Sequence, residues 1–558
     1  MGRVRSLRIR NFKSIGDEIE VQFPPKQPLI LIGENNAGKS NIVRALELLL
    51  GETWPGSYDP EDHDFHNRDR SIEPLEIRVT LEGVTHADKY KGTLSVEGLV
   101  WRYEAGEKRP FRMILSGGIE NPYPSNDVRE QCFCIAVGAD RRLSYQLSYT
   151  SKYTFLSRLM RRFHRALSDD EARVEALRES FEQTKGLFLG IDAFATFTTE
   201  LQKQVSQLSG NLKYGLKVDF SAYDPSNFFH ALRVFPYEGK DVRAFSELGT
   251  GQEQIFAISF AYAYAKAFHG DGSGLIVVIE EPEAHLHPLA QEWMGQVIRD
   301  VAAAGVQVVV TTHSPKFLDM SGLDGFALAR KIEGGTHVVQ WSHEDFASYC
   351  REHGAPRAGR ETVLPFYAAV ATEDLLSGLF ARRVLLVEGP TEALALPVYL
   401  DRVGLNTLSN GIAVLPVHGV GNLAKWWRFF SAYGLPVYVA FDNDARDDDQ
   451  EIKRKDLLQT LGINAQEWPE AISTKQWLIG ESYCVFGRNF EETLRANFGE
   501  AYRALEGEAL EQFGLSAEQA KPLVARYVAE RLEKDDQAPG WKGLEMLSKA
   551  ICPAGGQV

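Results

Sequence analysis

Leu29-Ile30-Leu31-Ile32-Gly33-Glu34-Asn35-Asn36-Ala37-Gly38-Lys39-Ser40 is the stretch on which the reading of this chain turns. Pro28 to Ile32 is apolar without a break, the pattern of a strand buried on both faces. Asn41 to Leu50 reads as a helix. Between them, Gly33 to Ser40 has the G-x-x-x-x-G-K-S spacing of a P-loop, whose backbone N–H groups and following helix N-terminus cradle phosphates. Asn35, Asn36 and Gly38 are then loop contacts to a nucleotide. Lys39 reaches the β- and γ-phosphates, and the Ser40 hydroxyl ligates Mg2+. A Gly-rich turn is the plain alternative, and the flanking strand and helix argue against it.

Working outward, Leu275-Ile276-Val277-Val278-Ile279 is an apolar strand that ends in Glu280-Glu281. Glu280 would help hold Mg2+, and Glu281 would orient and deprotonate an attacking water. Ser246-Glu247-Leu248-Gly249-Thr250-Gly251-Gln252 resembles the signature loop of ABC ATPases, with Ser246, Gly249 and Gly251 as the nucleotide-facing candidates and Thr250 in place of the usual second glycine. In that family the loop of one subunit closes on ATP held by another. Val308–Thr312 leads to His313, which matches the switch histidine that senses the γ-phosphate. Ala284-His285-Leu286-His287-Pro288 falls at the family's dimer-contact loop. A metal site at His285 and His287 is the competing reading, and a structural loop is preferred. No Q-loop glutamine is found between Gly51 and Leu81. The acidic run Asp59–Phe65 sits in its place and reads as a solvated loop.

A second chemistry begins at Val384-Leu385-Leu386-Val387-Glu388-Gly389. A buried strand delivers Glu388 at its end, Gly389 allows a tight turn, and Glu392 falls on the first turn of the helix that follows. Val437–Phe441 is another buried strand and ends in Asp442-Asn443-Asp444, where residues i and i+2 can approach one ion if the chain turns. Carboxylates also favour helix starts, the alternative for these acids. Glu491 is a further candidate metal ligand, and Lys542 a candidate cation near a scissile phosphate; exposed helical charge is the competing reading of both. The chemistry in view is phosphodiester cleavage. Hard oxygen donors suit Mg2+ or Mn2+, which activate water and stabilise the leaving oxygen.

The chain has 558 residues, so two or more domains are expected. Composition is that of a folded protein, and the net charge of −15 argues against a small, purely electrostatic DNA binder. No apolar run approaches the roughly 18–20 residues of a membrane span. The N-terminus lacks a secretory apolar core, and five scattered cysteines point to a reducing cytoplasm. Alternation at Leu7 and Ile9, and at Ile19, Val21 and Phe23, reads as two half-buried strands with a turn near Gly16–Asp17. Tyr153 to Gln207 reads as a charged helical insertion, an oligomerisation element or a solvated arm. Ser342–Thr362 reads as a loop that closes the first domain.

The acidic strand ends, with the glycine turn Val417-His418-Gly419-Val420-Gly421-Asn422 between them, resemble the Toprim fold of topoisomerases, primases and recombination nucleases. The expected fold class is therefore α/β: an ABC-type ATPase domain over residues 1–375, with a helical dimerisation insertion at about 150–210, then a Rossmann-like Toprim domain over 376–558. Together with Asn11-Phe12-Lys13 and Ala139-Asp140-Arg141-Arg142, this order of motifs resembles the OLD (overcoming lysogenization defect) family across nearly the whole chain. The resemblance implies ATP and Mg2+ or Mn2+ as cofactors, and a homodimer or higher oligomer. It implies metal-dependent cleavage of DNA in bacterial defence against phage. Some members of the family work with a helicase, others with a reverse transcriptase or alone, and in some ATP restrains the nuclease. The rival readings are an SMC/RecF-like repair ATPase with a structural Toprim domain, and a topoisomerase- or primase-like enzyme.

Overall fold

The computed structural model describes the chain apart from residues 1, 73, 105, 107, 138–142, 150–153, 209–233, 239, 244–246, 268–273, 444–447, 515–516 and 554–558. Two compact units emerge: Met1–Cys134 with His269–Val558, and Ile135–Phe268.

Three sheets lie wholly or mainly in the first unit. One is antiparallel throughout, formed by β1 (Arg3–Arg10), β2 (Ile19–Gln22), β4 (Leu75–Asp88), β5 (Gly92–Tyr103), β6 (Phe111–Leu115) and β7 (Ile119–Asn121), in the order β2-β1-β4-β5-β6-β7. The expected alternation holds here: Leu7, Ile9, Ile19 and Val21 are buried, while Arg8, Arg10, Glu20 and Gln22 face water. The second sheet contains β3 (Leu29–Ile32), β8 (Cys132–Val137), β11 (Gly274–Glu280), β12 (Gln307–Thr312), β13 (Phe326–Ile332) and β14 (Gly335–Gln340), in the order β14-β13-β3-β12-β11-β8. From β13 to β11 neighbouring strands run parallel, and all four residues of β3 are buried. A parallel sheet covered on both faces needs such unbroken apolar strands.

The third sheet has β15 (Arg383–Val387), β16 (Ile412–Pro416), β17 (Val437–Asp442), β18 (Leu478–Ile479) and β19 (Tyr483–Phe486), in the order β16-β15-β17-β19-β18. All pairs are parallel except β18 with β19. This is the expected Rossmann-like arrangement, with helices Pro390–Arg402 and Val420–Ala432 as crossovers. Helix Pro390–Arg402 packs along helix Ala517–Arg531, and Trp541 closes that core against Phe498 and Tyr399 at 5.5 and 6.1 Å between ring centres. The Arg402 guanidinium covers the Trp541 ring at 4.8 Å, and Trp541 Nε1 donates to Glu533 O. Trp541→Ala is expected to cost about 3–5 kcal/mol, read as a lower urea midpoint for the transition of this sheet.

The second unit is largely helical, with Phe155–Ser168, Glu171–Leu189, Asp192–Leu208 and Thr250–Ala267. A short ribbon, β9 (Tyr237–Glu238) and β10 (Asp241–Val242), accompanies them. Helices thus occupy most of the stretch 153–207 that reads as helical in sequence. One expectation fails. Ser342–Thr362 is not a loop: His343–Glu352 is a helix, and another begins at Arg360. The Ser342 side chain accepts from Asp345 N as the N-cap, while Phe346, Ala347 and Cys350 bury the inner face. Gly354, Pro356 and Gly359 break the chain only between the two helices. All five cysteines are free thiols. Among the described residues no single helix is long and apolar enough to cross a membrane.

Candidate nucleotide and carboxylate sites

Three adjacent parallel strands, β3, β12 and β11, end at the P-loop, at His313 and at Glu280-Glu281. Their shared direction brings together motifs far apart in the sequence, at the carboxyl edge where open α/β sheets bind ligands. Gly38 has φ 101°, and a Cβ there would strike Thr336 Oγ1 and Ser14 Oγ. Those hydroxyls lock the loop: Thr336 Oγ1 donates to Ala37 O at 2.9 Å, and Asn41 Nδ2 donates to Ser14 Oγ at 2.6 Å. Asn35, Asn36 and Ser40 are exposed.

Lys39 Nζ donates to Gly33 O at 2.8 Å and Glu34 O at 3.0 Å, and lies 3.0 Å from His313 Nε2. Burial lowers the Lys39 pKa to about 8, against the opposing pull of Glu281, Glu283 and Glu34. Burial, then the Lys39 charge, also pushes the His313 pKa down. The lysine thus rests on loop carbonyls, within reach of the space a phosphate would take. Glu281 has φ 46°, an uncommon conformation for a residue with a side chain. Its N–H donates to Thr311 O at 2.9 Å, and its carboxylate lies 3.7 Å from His313 Nε2. Glu280 is half-buried at the end of β11. The sequence reading passed over Glu283, whose Oε1 accepts from His313 N at 2.5 Å. Its place two residues after Glu281 was the available signal.

Gly249 and Gly251 lie at the start of helix Thr250–Ala267 in the second unit, and Ser246 falls outside the described residues. His287 caps helix Pro288–Ala303, its Nδ1 accepting from Ala290 N. In the acidic run Asp59–Phe65, Asp64 is not solvated. It is buried, accepts from Lys13 Nζ at 2.7 Å and from Glu61 N at 3.0 Å, and so pins the turn between β1 and β2.

The second set of acids lies on the third sheet. Glu388 follows β15 and Asp442 ends β17, the adjacent strand. Asp442 N donates to Glu388 Oε2 at 3.2 Å, and Gly419 N, from the glycine turn after β16, donates to Glu388 O at 3.0 Å. Gly419 has φ 116°, open to glycine and strained for other residues. Glu392 is buried on the first turn of helix Pro390–Arg402, and its Oε2 accepts from Gly389 N at 3.2 Å. Burial first, then the charges of Glu491 and Glu388, push its pKa up to about 7. Glu491 enters from helix Phe490–Phe498, which follows β19 and is capped by Asn489. Four of the expected acids are thereby brought together, while Asp444 falls outside the described residues. Among the described residues no three His, Cys, Asp or Glu side chains form a ready metal cage. Lys542 is exposed, and its Nζ donates to Gln537 Oε1 at 3.3 Å.

Comparison with known proteins gives two domain matches. The overcoming lysogenization defect protein-like TOPRIM domain matches residues 379–444, and an AAA ATPase domain matches 3–95 and 166–318. The chain is similar to an OLD nuclease of Thermus scotoductus, 25% identical over 475 residues, covering 81% of this chain and 85% of that protein. It is similar to the Old nuclease of Escherichia phage P2, 22% identical with 82% and 80% covered. It is also similar to the endonuclease GajA of Bacillus cereus, 21% identical with 82% and 77% covered.

Proposed function

We propose that this chain, an AAA-type ATPase domain joined to an OLD-like Toprim domain, is a divalent-metal-dependent DNA endonuclease whose cleavage is regulated by ATP. The observation that carries the reading is that the adjacent parallel strands β15 and β17 end at Glu388 and Asp442, joined by the bond from Asp442 N to Glu388 Oε2, with Glu392 buried on the helix turn that follows. These donors are all hard oxygens, and Glu388 and Glu491 add negative charge beside the buried Glu392. Glu388, Glu392, Asp442, Asp444 and Glu491 would hold Mg2+ or Mn2+, which supplies water activation and charge stabilisation in phosphodiester hydrolysis.

The chain's own residues do the positioning. Gly419 N fixes the Glu388 main chain, and Gly389 N holds the Glu392 carboxyl at the helix start. Lys542 is the candidate cation for charge on the phosphate in the transition state. In the ATPase domain, Ser40 and Glu280 would hold Mg2+ and Lys39 the β- and γ-phosphates. Glu281 would orient the attacking water, and His313 would sense the γ-phosphate. Asn35, Asn36 and Gly38 line the loop, and Ser246, Gly249 and Gly251 of a second copy would close over the ATP, which makes the working form a homodimer or larger. The proposed domain limits are 1–375 and 376–558. The proposed setting is cytoplasmic antiviral defence, a reading that rests on the likeness to OLD-type nucleases.

Supercoiled plasmid incubated with the full chain and Mg2+ or Mn2+ tests this. Open circles that persist after the protein is removed, and that vanish when the metal is chelated, are expected. Covalently closed relaxed circles would instead indicate transesterification and religation.

A further inference from the structure

Two ion pairs join the nucleotide elements to the same short stretch of chain. On the P-loop, the Glu34 carboxylate accepts from Arg382 Nε at 2.9 Å. Three residues after His313, Lys316 Nζ donates to Glu373 Oε1 at 2.6 Å, and also to Glu292 Oε1 at 2.8 Å. Glu373 opens the helix Glu373–Ser377, and Arg382 immediately precedes β15, whose far end carries Glu388. Helix Glu373–Ser377 packs both on the turn Pro315–Phe317 and on β16 of the Toprim sheet. A Cβ on Gly378 would strike the Phe430 ring and Leu415, and Leu375, Leu376 and Leu379 are buried. Between it and the P-loop lies a cavity of about 520 Å3, lined by Glu34, Asn35, Arg330, Lys331, Phe380 and Arg382. Leu379–Arg382 thus border the cavity, while the helix before them is packed between the two domains' elements.

We propose that residues 372–382 are the coupling segment through which nucleotide binding resets the Toprim carboxylates, with Glu34–Arg382 and Lys316–Glu373 as its two latches. Phosphates in the P-loop draw Lys39 away from the Glu34 carbonyl and from His313. Their charge competes with the Glu34 carboxylate for Arg382 across a short distance. A shift of His313 carries the turn Pro315–Phe317, and with it Lys316. The Glu34–Arg382 pair is exposed and so opens at little cost, while Lys316, largely covered, keeps Glu292 as a partner when it leaves Glu373. Motion at Arg382 then passes along the five residues of β15 to Glu388. This coupling rests on the nuclease reading of the Toprim site only for its consequence, not for its existence.

The test uses the full chain and a non-hydrolysable ATP analogue with Mg2+. Hydrogen exchange of peptides covering residues 372–388 is followed with and without the analogue, in wild type and in Arg382→Ala/Glu373→Gln. At least a fivefold nucleotide-dependent change in exchange is expected in the wild type and less than twofold in the double variant, each compared at an analogue concentration that saturates it. Arg382→Lys, which keeps the charge, is expected to restore most of the response. In plasmid nicking, the ratio of rates with and without analogue is expected to fall towards one in the double variant. No exchange response in the wild type, or an undiminished one in the double variant, overturns the proposal. Because exchange needs no cleavage, a chain that shows the response yet cuts no DNA loses the nuclease reading and keeps the coupling.

Discussion

Glu388→Gln is expected to slow plasmid nicking by about a thousandfold while ATP affinity stays unchanged. Glutamine keeps the size of the side chain, and its carbonyl oxygen can still accept from Asp442 N. The fold should therefore survive, which a thermal melt within a few degrees of wild type would confirm. What disappears is the negative charge beside Glu392 and Glu491, and with it much of the field that holds a divalent ion. A loss on the order of 4 kcal/mol of transition-state stabilisation corresponds to that thousandfold change. A variant that still nicks within threefold of wild type would show that Glu388 is no part of the site.

Lys39→Ala is expected to weaken ATP binding about a hundredfold and to abolish hydrolysis, read by titration with a fluorescent ATP analogue and by phosphate release. The Lys39 ammonium is mostly buried and already coordinated by two loop carbonyls. It is already held at the loop before the nucleotide arrives, so only a short move from the Glu34 carbonyl and His313 towards the phosphates remains on binding. A charge-assisted contact of this kind contributes roughly 1.5–3 kcal/mol, the upper end of which is about a hundredfold in affinity. Nucleotide-free nicking by this variant should remain within a few-fold of wild type, since Lys39 touches none of the Toprim acids. Equal loss of nicking without nucleotide would mean that the P-loop lysine supports the Toprim domain structurally.

Most of the candidate site is legible in the sequence because its residues sit at strand ends. An apolar run that stops at a carboxylate, as at Ile279-Glu280 or Val387-Glu388, states both the strand and the edge where its side chain emerges. Parallel neighbours then gather such ends without further information, which is how Glu388 and Asp442 meet. What escaped the reading depends on distant partners. Asp64 looked solvated because its cation, Lys13, is fifty-one residues away. Arg382 carries no local signal, since Glu34 lies 348 residues earlier. The helix His343–Glu352 was hidden by the glycines and proline after it, although Ser342 and Asp345 had the spacing of an N-cap. Glu392 was placed on its helix turn, but its burial and its contact with Gly389 N follow from packing that no local pattern encodes.

The most direct test compares wild type with Asp442→Ala/Asp444→Ala on supercoiled plasmid in Mg2+ or Mn2+, both proteins purified in parallel and both shown to bind ATP. The account predicts metal-dependent nicking by the wild type and its disappearance in the double variant. Undiminished nicking by the double variant would contradict it, because the cut would then arise away from the Toprim carboxylates.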